Sequence, residues 1–181
     1  WSTTDLATHL VVRERKPLAA LGLVLPAFAG RLDRTMQRVS STQSYEGLVA
    51  LVRRGPPAVL RPFDAAMNLN EYFIHHEDVR RGSGDTTPRP LADIADVEEA
   101  LWRSMGRGAR LLTRSLASTG LDLLHIDGRV VHARPGDPKA TVTGRPGEIA
   151  LYLSGRKDAA QVELGGPPEA VATLRDARFG I

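Results

Sequence analysis

Apolar and polar positions recur with two different periods along the chain, and the change falls near residue 120. Before that point apolar residues return every three or four positions, which is the period of a helix with one buried face. After it they return every second position in short runs bounded by glycine and proline, which is typical of strands. The pattern predicts an α+β protein with a helical part at residues 1–119 and a small α+β part at residues 120–181.

Four helices are predicted in the first part from the apolar period and from the residues that begin and end helices. The first begins at Ser2 or Thr3, which can cap its amino end, and Pro17 ends or bends it. The predicted helices cover residues 2–16, 44–54, 62–81 and 91–118, and an interrupted apolar run at 18–30 and a polar segment at 31–39 separate the first two.

The second part begins with a predicted β-hairpin. Strands at 121–126 and 129–133 flank an Asp127–Gly128 turn, because this dipeptide tolerates the positive φ angles of a tight turn. His125 and His132 lie on the two strands, and we expect them to pair across the hairpin. Further along, the pattern predicts strands at 141–143 and 161–164 and helices at 146–153 and 168–176.

The composition excludes several classes of protein. The chain has no cysteine, so disulfide scaffolds, thiolate zinc sites and cysteine nucleophiles are excluded, and a metal must be held by His, Asp or Glu. The 24 Lys and Arg residues against 21 Asp and Glu residues leave a net charge of +3, which is too small for a nucleic-acid-binding surface. The longest apolar run is shorter than the ~20 residues that a bilayer requires. We therefore expect a cytoplasmic protein that binds neither nucleic acid nor membrane.

A stripe of four arginines follows one side of the last predicted helix, at positions 103, 107, 110 and 114. Such a stripe could bind an acidic ligand or a nucleic acid. Arginines at this spacing more often form a solvated helix face, and we favour that interpretation.

Candidate chemistry is concentrated between Glu71 and Asp78. Glu71 and His75 are four residues apart and Asp78 follows three later, so the three side chains share one helix face. His9, among apolar residues of the first helix, is the candidate for a third ligand. Two imidazoles and one carboxylate can hold zinc, iron(II), nickel or manganese and leave positions for water or substrate.

Two further carboxylates stand one turn from the candidate histidines. Asp5 precedes His9 and Asp78 follows His75, and either can accept the outer imidazole N–H and fix its tautomer. Two other interpretations stay open on spacing alone. A carboxylate and a histidine four residues apart often form a surface pair, and a histidine on an apolar face is usually a core residue bonded to a backbone carbonyl.

Residues 1–10 have the sequence WSTTDLATHL and residues 71–80 the sequence EYFIHHEDVR. They resemble the two metal-binding helices, W-(S/T)-x-x-D-L-x-x-H-L and E-x-x-x-H-x-x-D, of the DinB-like, mycothiol-dependent maleylpyruvate isomerase superfamily of actinobacteria. Residues 141–149, the pair Gly155–Arg156 and residues 162–166 are similar to that family's small C-terminal domain. The segment 71–78 is most similar to a metal-binding subgroup with no assigned reaction.

The resemblance implies a DinB-like, four-helix-type bundle at 1–119, whose first helix would precede Trp1 and be missing here, and a small α+β C-terminal domain at 120–181. It implies that His9, Glu71 and His75 hold a divalent metal, usually zinc, to which the thiol mycothiol is delivered. We therefore expect a thiol-dependent transferase or isomerase acting on a small electrophile, with Arg13 or Arg80 orienting an anionic substrate or the thiol. The second hypothesis is a non-catalytic metal-binding protein whose ion is structural or sensory.

Overall fold

A computed structural model describes residues 2–20, 26–58, 64–116 and 118–179 of the 181-residue chain. The chain forms two compact units, residues 1–67 and residues 68–181. The first strand begins at Gly120, after the long helices, and the α+β class is confirmed. The second unit contains two long helices as well as the strands, and a domain boundary at 119/120 stays a prediction.

The described part of the first unit is helical: α1 (Thr3–Arg15), α2 (Pro17–Ala20), a 3₁₀ turn (Pro26–Phe28), α3 (Ala29–Thr42) and α4 (Tyr45–Arg54). Helix α1 begins where the sequence predicts, because Ser2 and Asp5 form a reciprocal capping box at its amino end. Ala7, Val11 and Leu48 form a small buried cluster between α1 and α4.

Helix α3 covers the segment 31–39, for which the sequence pattern predicts no helix. Leu32, Met36 and Val39 recur at a helical spacing, and each is partly buried. Val39 packs against the cluster of α1 and α4, so tertiary contact supports a helix in which charged residues are numerous. The apolar run at 18–30 and the start of the helix predicted at 62 lie partly outside the described residues.

Two long helices follow, α5 (Asp64–Arg81) and α6 (Leu91–Leu112). Helix α6 ends six residues before the predicted position. Both the N–H and the Oγ1 of Thr113 donate to the carbonyl of Ala109, and the chain then turns so that Leu116 is completely buried. Within the described ranges, no helix combines the length and the apolar composition needed to cross a bilayer.

Four strands form one mixed sheet: β1 (Gly120–His125), β2 (Val130–Arg134), β3 (Lys139–Gly144) and β4 (Glu163–Gly165). The order is β2-β1-β3-β4, with β1 and β3 parallel and the other two neighbouring pairs antiparallel. Two helices, α7 (Pro146–Leu153) and α8 (Pro168–Asp176), begin and end at the predicted residues. Proline in the first turn of both helices agrees with their starting positions.

The core of the second unit joins the sheet to both long helices. Leu121 and Val142 of the central strands are completely buried and share one cluster with Phe73 of α5 and Trp102 of α6. Helix α7 approaches α5 so closely that a Cβ atom on Gly147 would lie 2.6 Å from Cζ of Phe73. This packing places Phe73 of α5, two positions before His75, in the same core as the strands.

Candidate metal centre

One face of α5 carries Glu71, His75 and Asp78. His75 Nε2 lies 3.6 Å from Glu71 Oε2, and His75 Nδ1 lies 3.0 Å from Asp78 Oδ2. The side chains of His75 and Glu71 are 9% and 22% exposed, so they do not form the solvated surface pair considered above. Two ligand atoms bonded at about 2.1 Å to a tetrahedral zinc ion lie about 3.4 Å apart. The Glu71–His75 separation is therefore close to what one ion requires.

His75 has a carboxylate near each ring nitrogen. Burial lowers the pKa of His75, but hydrogen bonds to Asp78 and Glu71 and the charges of both outweigh burial and raise the pKa above its ordinary value. Burial raises the pKa of Asp78, whereas hydrogen bonds to His75 and Arg156 lower it to about 2. With Nδ1 engaged by an ionised carboxylate, Nε2 is the ring nitrogen directed towards Glu71 and suited to a metal.

Arg156 also binds the Asp78 carboxylate. Its Nε lies 3.0 Å from Oδ1 and its Nη2 lies 2.7 Å from Oδ2, which is a bidentate pair. Arg156 lies three positions after the last residue of α7; Gly155 adopts a φ of 87°, and the Arg156 N–H donates to the carbonyl of Leu151 at 2.9 Å. This is a Schellman helix ending, and it directs a side chain from beyond α7 to the ligand face of α5.

A second face of α5 carries a buried group of charges that we call the Glu77 network. Glu77 is 1% exposed and accepts hydrogen bonds from Arg80, Arg81 and Arg89. Arg81 also donates to both carboxylate oxygens of Glu148 in α7, at 2.6 and 3.0 Å. Burial alone would raise the pKa of Glu77, but the bonds and charges of Arg80 and Arg81 lower it to about 2. The network ties α5 to α7 beside the candidate ligands.

His9 lies in the middle of α1 and is 8% exposed. His9, Glu71 and His75 each offer one ligand atom, and these three atoms lie within 4.8 Å of one another. Two imidazoles and one carboxylate are a donor set that zinc, nickel, iron(II) and manganese accept. The cluster could therefore hold a divalent metal ion, and its donor set does not select among these metals.

The other residues predicted for the site have different surroundings. Asp5 is exposed, and its Oδ2 accepts the N–H and the Oγ–H of Ser2, each at 2.8 Å, so it caps α1. Arg13 is partly buried in the last turn of α1. Arg80 donates from Nε and Nη2 to Glu77 and belongs to the Glu77 network. The roles of Asp5 at His9 and of either arginine at a substrate stay predictions.

The predicted pairing of His125 with His132 is wrong. The hairpin pairs Leu124 with Val130, so His125 lies at the turn, beyond the paired positions. His132 instead lies opposite Asp122, and its Nδ1 is 2.9 Å from Asp122 Oδ1. The four arginines of the predicted stripe are all exposed: three lie on α6, as a solvated helix face requires, and Arg114 lies just after its end.

Sequence reasoning missed Arg156 and the Glu77 network. Glu77 lies two positions after His75 and so points away from the ligand face, since each residue turns the helix by about 100°. The spacing of Glu77 to Arg80 and Arg81 is a local signal that could have revealed part of the network. Arg156 and Asp78 are 78 positions apart, and no local pattern joins them.

No family model, curated protein or solved structure matches the chain. Membership of the DinB-like superfamily therefore stays a prediction based on the short segments quoted above. Trp1, the first residue of one of those segments, lies outside the described residues. The candidate site is supported by its own geometry.

Proposed function

We propose that the chain is a divalent-metal protein in which His9, Glu71 and His75 hold one ion, and that it acts as a thiol-dependent transferase or isomerase on a small electrophile. The observation that supports this most is the grouping of three ligand atoms within 4.8 Å. A bound zinc, nickel, iron(II) or manganese ion supplies a Lewis acid that lowers the pKa of a thiol or water, so that the anion exists at neutral pH.

The side chains supply the orientation that such a centre requires. Asp78 accepts at Nδ1 of His75 and leaves Nε2 for the ion. Glu71 keeps 22% of its side chain exposed, which gives a small molecule a solvent-facing approach. Because the chain has no cysteine, the thiol must come from a cofactor, and mycothiol is the thiol that the family resemblance implies. The resemblance also implies that Arg13 or Arg80 contacts an anionic substrate or the thiol; Arg13 is half-buried on α1, and Arg80 donates to Glu77.

A non-catalytic role is the second candidate, and the burial of the histidines favours it. His9 and His75 are 8% and 7% exposed, and closed, buried ligand sets are typical of structural sites. In that case the ion would contribute to folding or would report metal or thiol status.

Elemental analysis of the purified chain tests the metal centre. We expect about one divalent ion per chain, a large loss of metal in His75→Ala, and no loss in the matched control His132→Ala, whose side chain is 77% exposed. Metal content in His75→Ala equal to that of the wild type would refute the proposed site.

Thiol binding separates the two candidate functions. Calorimetric titration of mycothiol into the zinc-loaded chain, followed by an assay with small electrophiles such as maleylpyruvate, should show metal-dependent thiol binding and turnover if the chain is an enzyme. A zinc-loaded chain that is strongly stabilised but binds no thiol would support the structural or sensory role.

A further inference from the structure

We infer that Arg156 is a positioning residue of the proposed metal centre: it fixes the Asp78 carboxylate, and Asp78 fixes the orientation and tautomer of His75. This inference rests on the proposed function and adds to it a side chain from the segment after α7. The order Arg156, Asp78, His75 forms a short chain of hydrogen bonds that ends at a candidate ligand, and we call it the Arg156 relay.

The carboxylate of Asp78 is held at both oxygens. Arg156 donates from Nε to Oδ1 at 3.0 Å and from Nη2 to Oδ2 at 2.7 Å. Oδ2 also lies 3.0 Å from His75 Nδ1. A bidentate guanidinium fixes the plane of a carboxylate, so Oδ2 keeps one position relative to the imidazole. Without Arg156, the Asp78 side chain, which is 32% exposed, could rotate towards solvent.

Arg156 is itself held in place before it reaches Asp78. Its Nη1 donates to the carbonyl of Ser154 at 2.7 Å, and its backbone N–H donates to the carbonyl of Leu151 at 2.9 Å. Its own carbonyl accepts the N–H of Ala160 at 3.1 Å. The positive φ of Gly155 sets the direction in which the side chain leaves the helix. Little conformational freedom therefore has to be lost when Arg156 binds Asp78.

The exposure of the Arg156–Asp78 pair argues for positioning over stabilisation. The side chains of Arg156 and Asp78 are 35% and 32% exposed, and ion pairs this accessible contribute little to folding. The pair of Arg81 and Glu148 already joins α5 to α7, with side chains that are 4% and 5% exposed. What distinguishes the Arg156 pair is its place at the outer nitrogen of a ligand, where such partners tune metal binding.

Affinity for Co²⁺, used as the probe, tests the relay in the full-length chain. Removing Asp78 in Asp78→Ala should weaken Co²⁺ binding about 10- to 100-fold, and Arg156→Met should weaken it about 10-fold. Arg156→Lys, which keeps the charge and loses the bidentate geometry, should lie between Arg156→Met and the wild type. The matched control is Arg129→Met, because Arg129 makes a comparable exposed pair with Asp127 and Glu99 and should leave the affinity unchanged.

A double-mutant cycle distinguishes the relay from a general effect. If Arg156 acts through Asp78, adding Arg156→Met to Asp78→Ala should weaken Co²⁺ binding no further. If Arg156→Met weakened Co²⁺ binding equally in the wild type and in Asp78→Ala, the inference would be overturned. Circular dichroism confirms that each variant is folded before its affinity is compared.

The tautomer of His75 gives a readout that needs no metal. Long-range ¹H–¹⁵N spectra of the metal-free chain at alkaline pH should show the proton on Nδ1 in the wild type and a mixture of tautomers in Arg156→Met. An unchanged tautomer in Arg156→Met would overturn the relay. A wild-type chain that binds no Co²⁺ would refute the proposed metal centre, and because the tautomer is measured without metal, the two failures are distinguishable.

Discussion

Replacing Glu77 by glutamine removes the negative charge that Arg80, Arg81 and Arg89 share, and keeps the size of the side chain. The change matters most to Arg81, whose side chain is 4% exposed and, among the described residues, would retain only Glu148 as an ion-pair partner. Removing one partner of a buried ion pair costs about 3–5 kcal/mol. Because Arg81 keeps its second carboxylate, we expect the free energy of unfolding to fall by about 3 kcal/mol.

The lowered pKa of Glu77 corresponds to a stabilisation of the same order. A pKa of about 2 in the folded chain, against an ordinary value of 4.5, corresponds to about 3 kcal/mol. Because folding lowers this pKa, the stabilisation is complete above about pH 5 and is lost as the pH falls towards 2. Glutamine does not titrate, so the stabilities of the wild type and of Glu77→Gln should converge in acid.

Urea unfolding followed by circular dichroism, at neutral pH and in acid, measures both effects. Glu99→Gln is the matched control, because Glu99 pairs with Arg129 at 2.9 Å but is 43% exposed. We expect this control to cost less than about 1 kcal/mol. A neutral-pH loss in Glu77→Gln no larger than in the control would refute the reasoning from burial.

Other parts of the chain give further expected outcomes. Gly155→Ala should lower the free energy of unfolding by more than about 1 kcal/mol, because φ is 87° and the new Cβ would lie 2.8 Å from the carbonyl oxygen of Phe179. Thermal melts measure this loss. In the same melts Gly106→Ala should raise the free energy of unfolding by up to about 1 kcal/mol through helix propensity, because the added Cβ would meet open space among the described residues. Ser2→Ala should cost about 1 kcal/mol and speed amide exchange at the start of α1, and unchanged exchange would contradict the capping role of Ser2. Removing the metal with a chelator should lower Tm by about 5–10 °C if the free metal concentration before chelation is about 100 times the Kd of the metal for the chain. An unchanged Tm would contradict a contribution of the ion to folding.

Local sequence signals are sufficient to predict a helix or strand where the residues at its ends mark the place at which it begins or stops. Helices α7 and α8 begin with proline, α1 begins with a capping serine, and β1 and β2 meet at Asp–Gly. They were insufficient for α3, where many charged residues hide the spacing of Leu32, Met36 and Val39. They also failed at the end of α6, because the burial of Leu116 turns the chain before the predicted helix end.

The candidate site also contains some residues that the sequence predicts and others that it does not. The face of Glu71, His75 and Asp78 could be predicted because a helix fixes the geometry of residues three and four apart. Arg156 could not be predicted from spacing, since its position depends on the turn at Gly155 and on the packing of α7 within the second unit. The sequence offers His9 as a candidate third ligand from its place among apolar residues, but the spacing of α1 also fits a core histidine, and the family resemblance is what favours the ligand.

The shared core of the second unit has a consequence for how this sequence can be recombined. Phe73 and Trp102 pack in one core with residues of the strands, of α7 and of α8. A chimera that joins two related sequences at residue 120 would therefore combine the strands of one parent with the long helices of the other. An exchange that begins near residue 68 would move the whole core intact. Glu71 and His75 would then be inherited with the sheet, and metal binding by each chimera would test the proposal that His9, inherited from the other parent, is the third ligand.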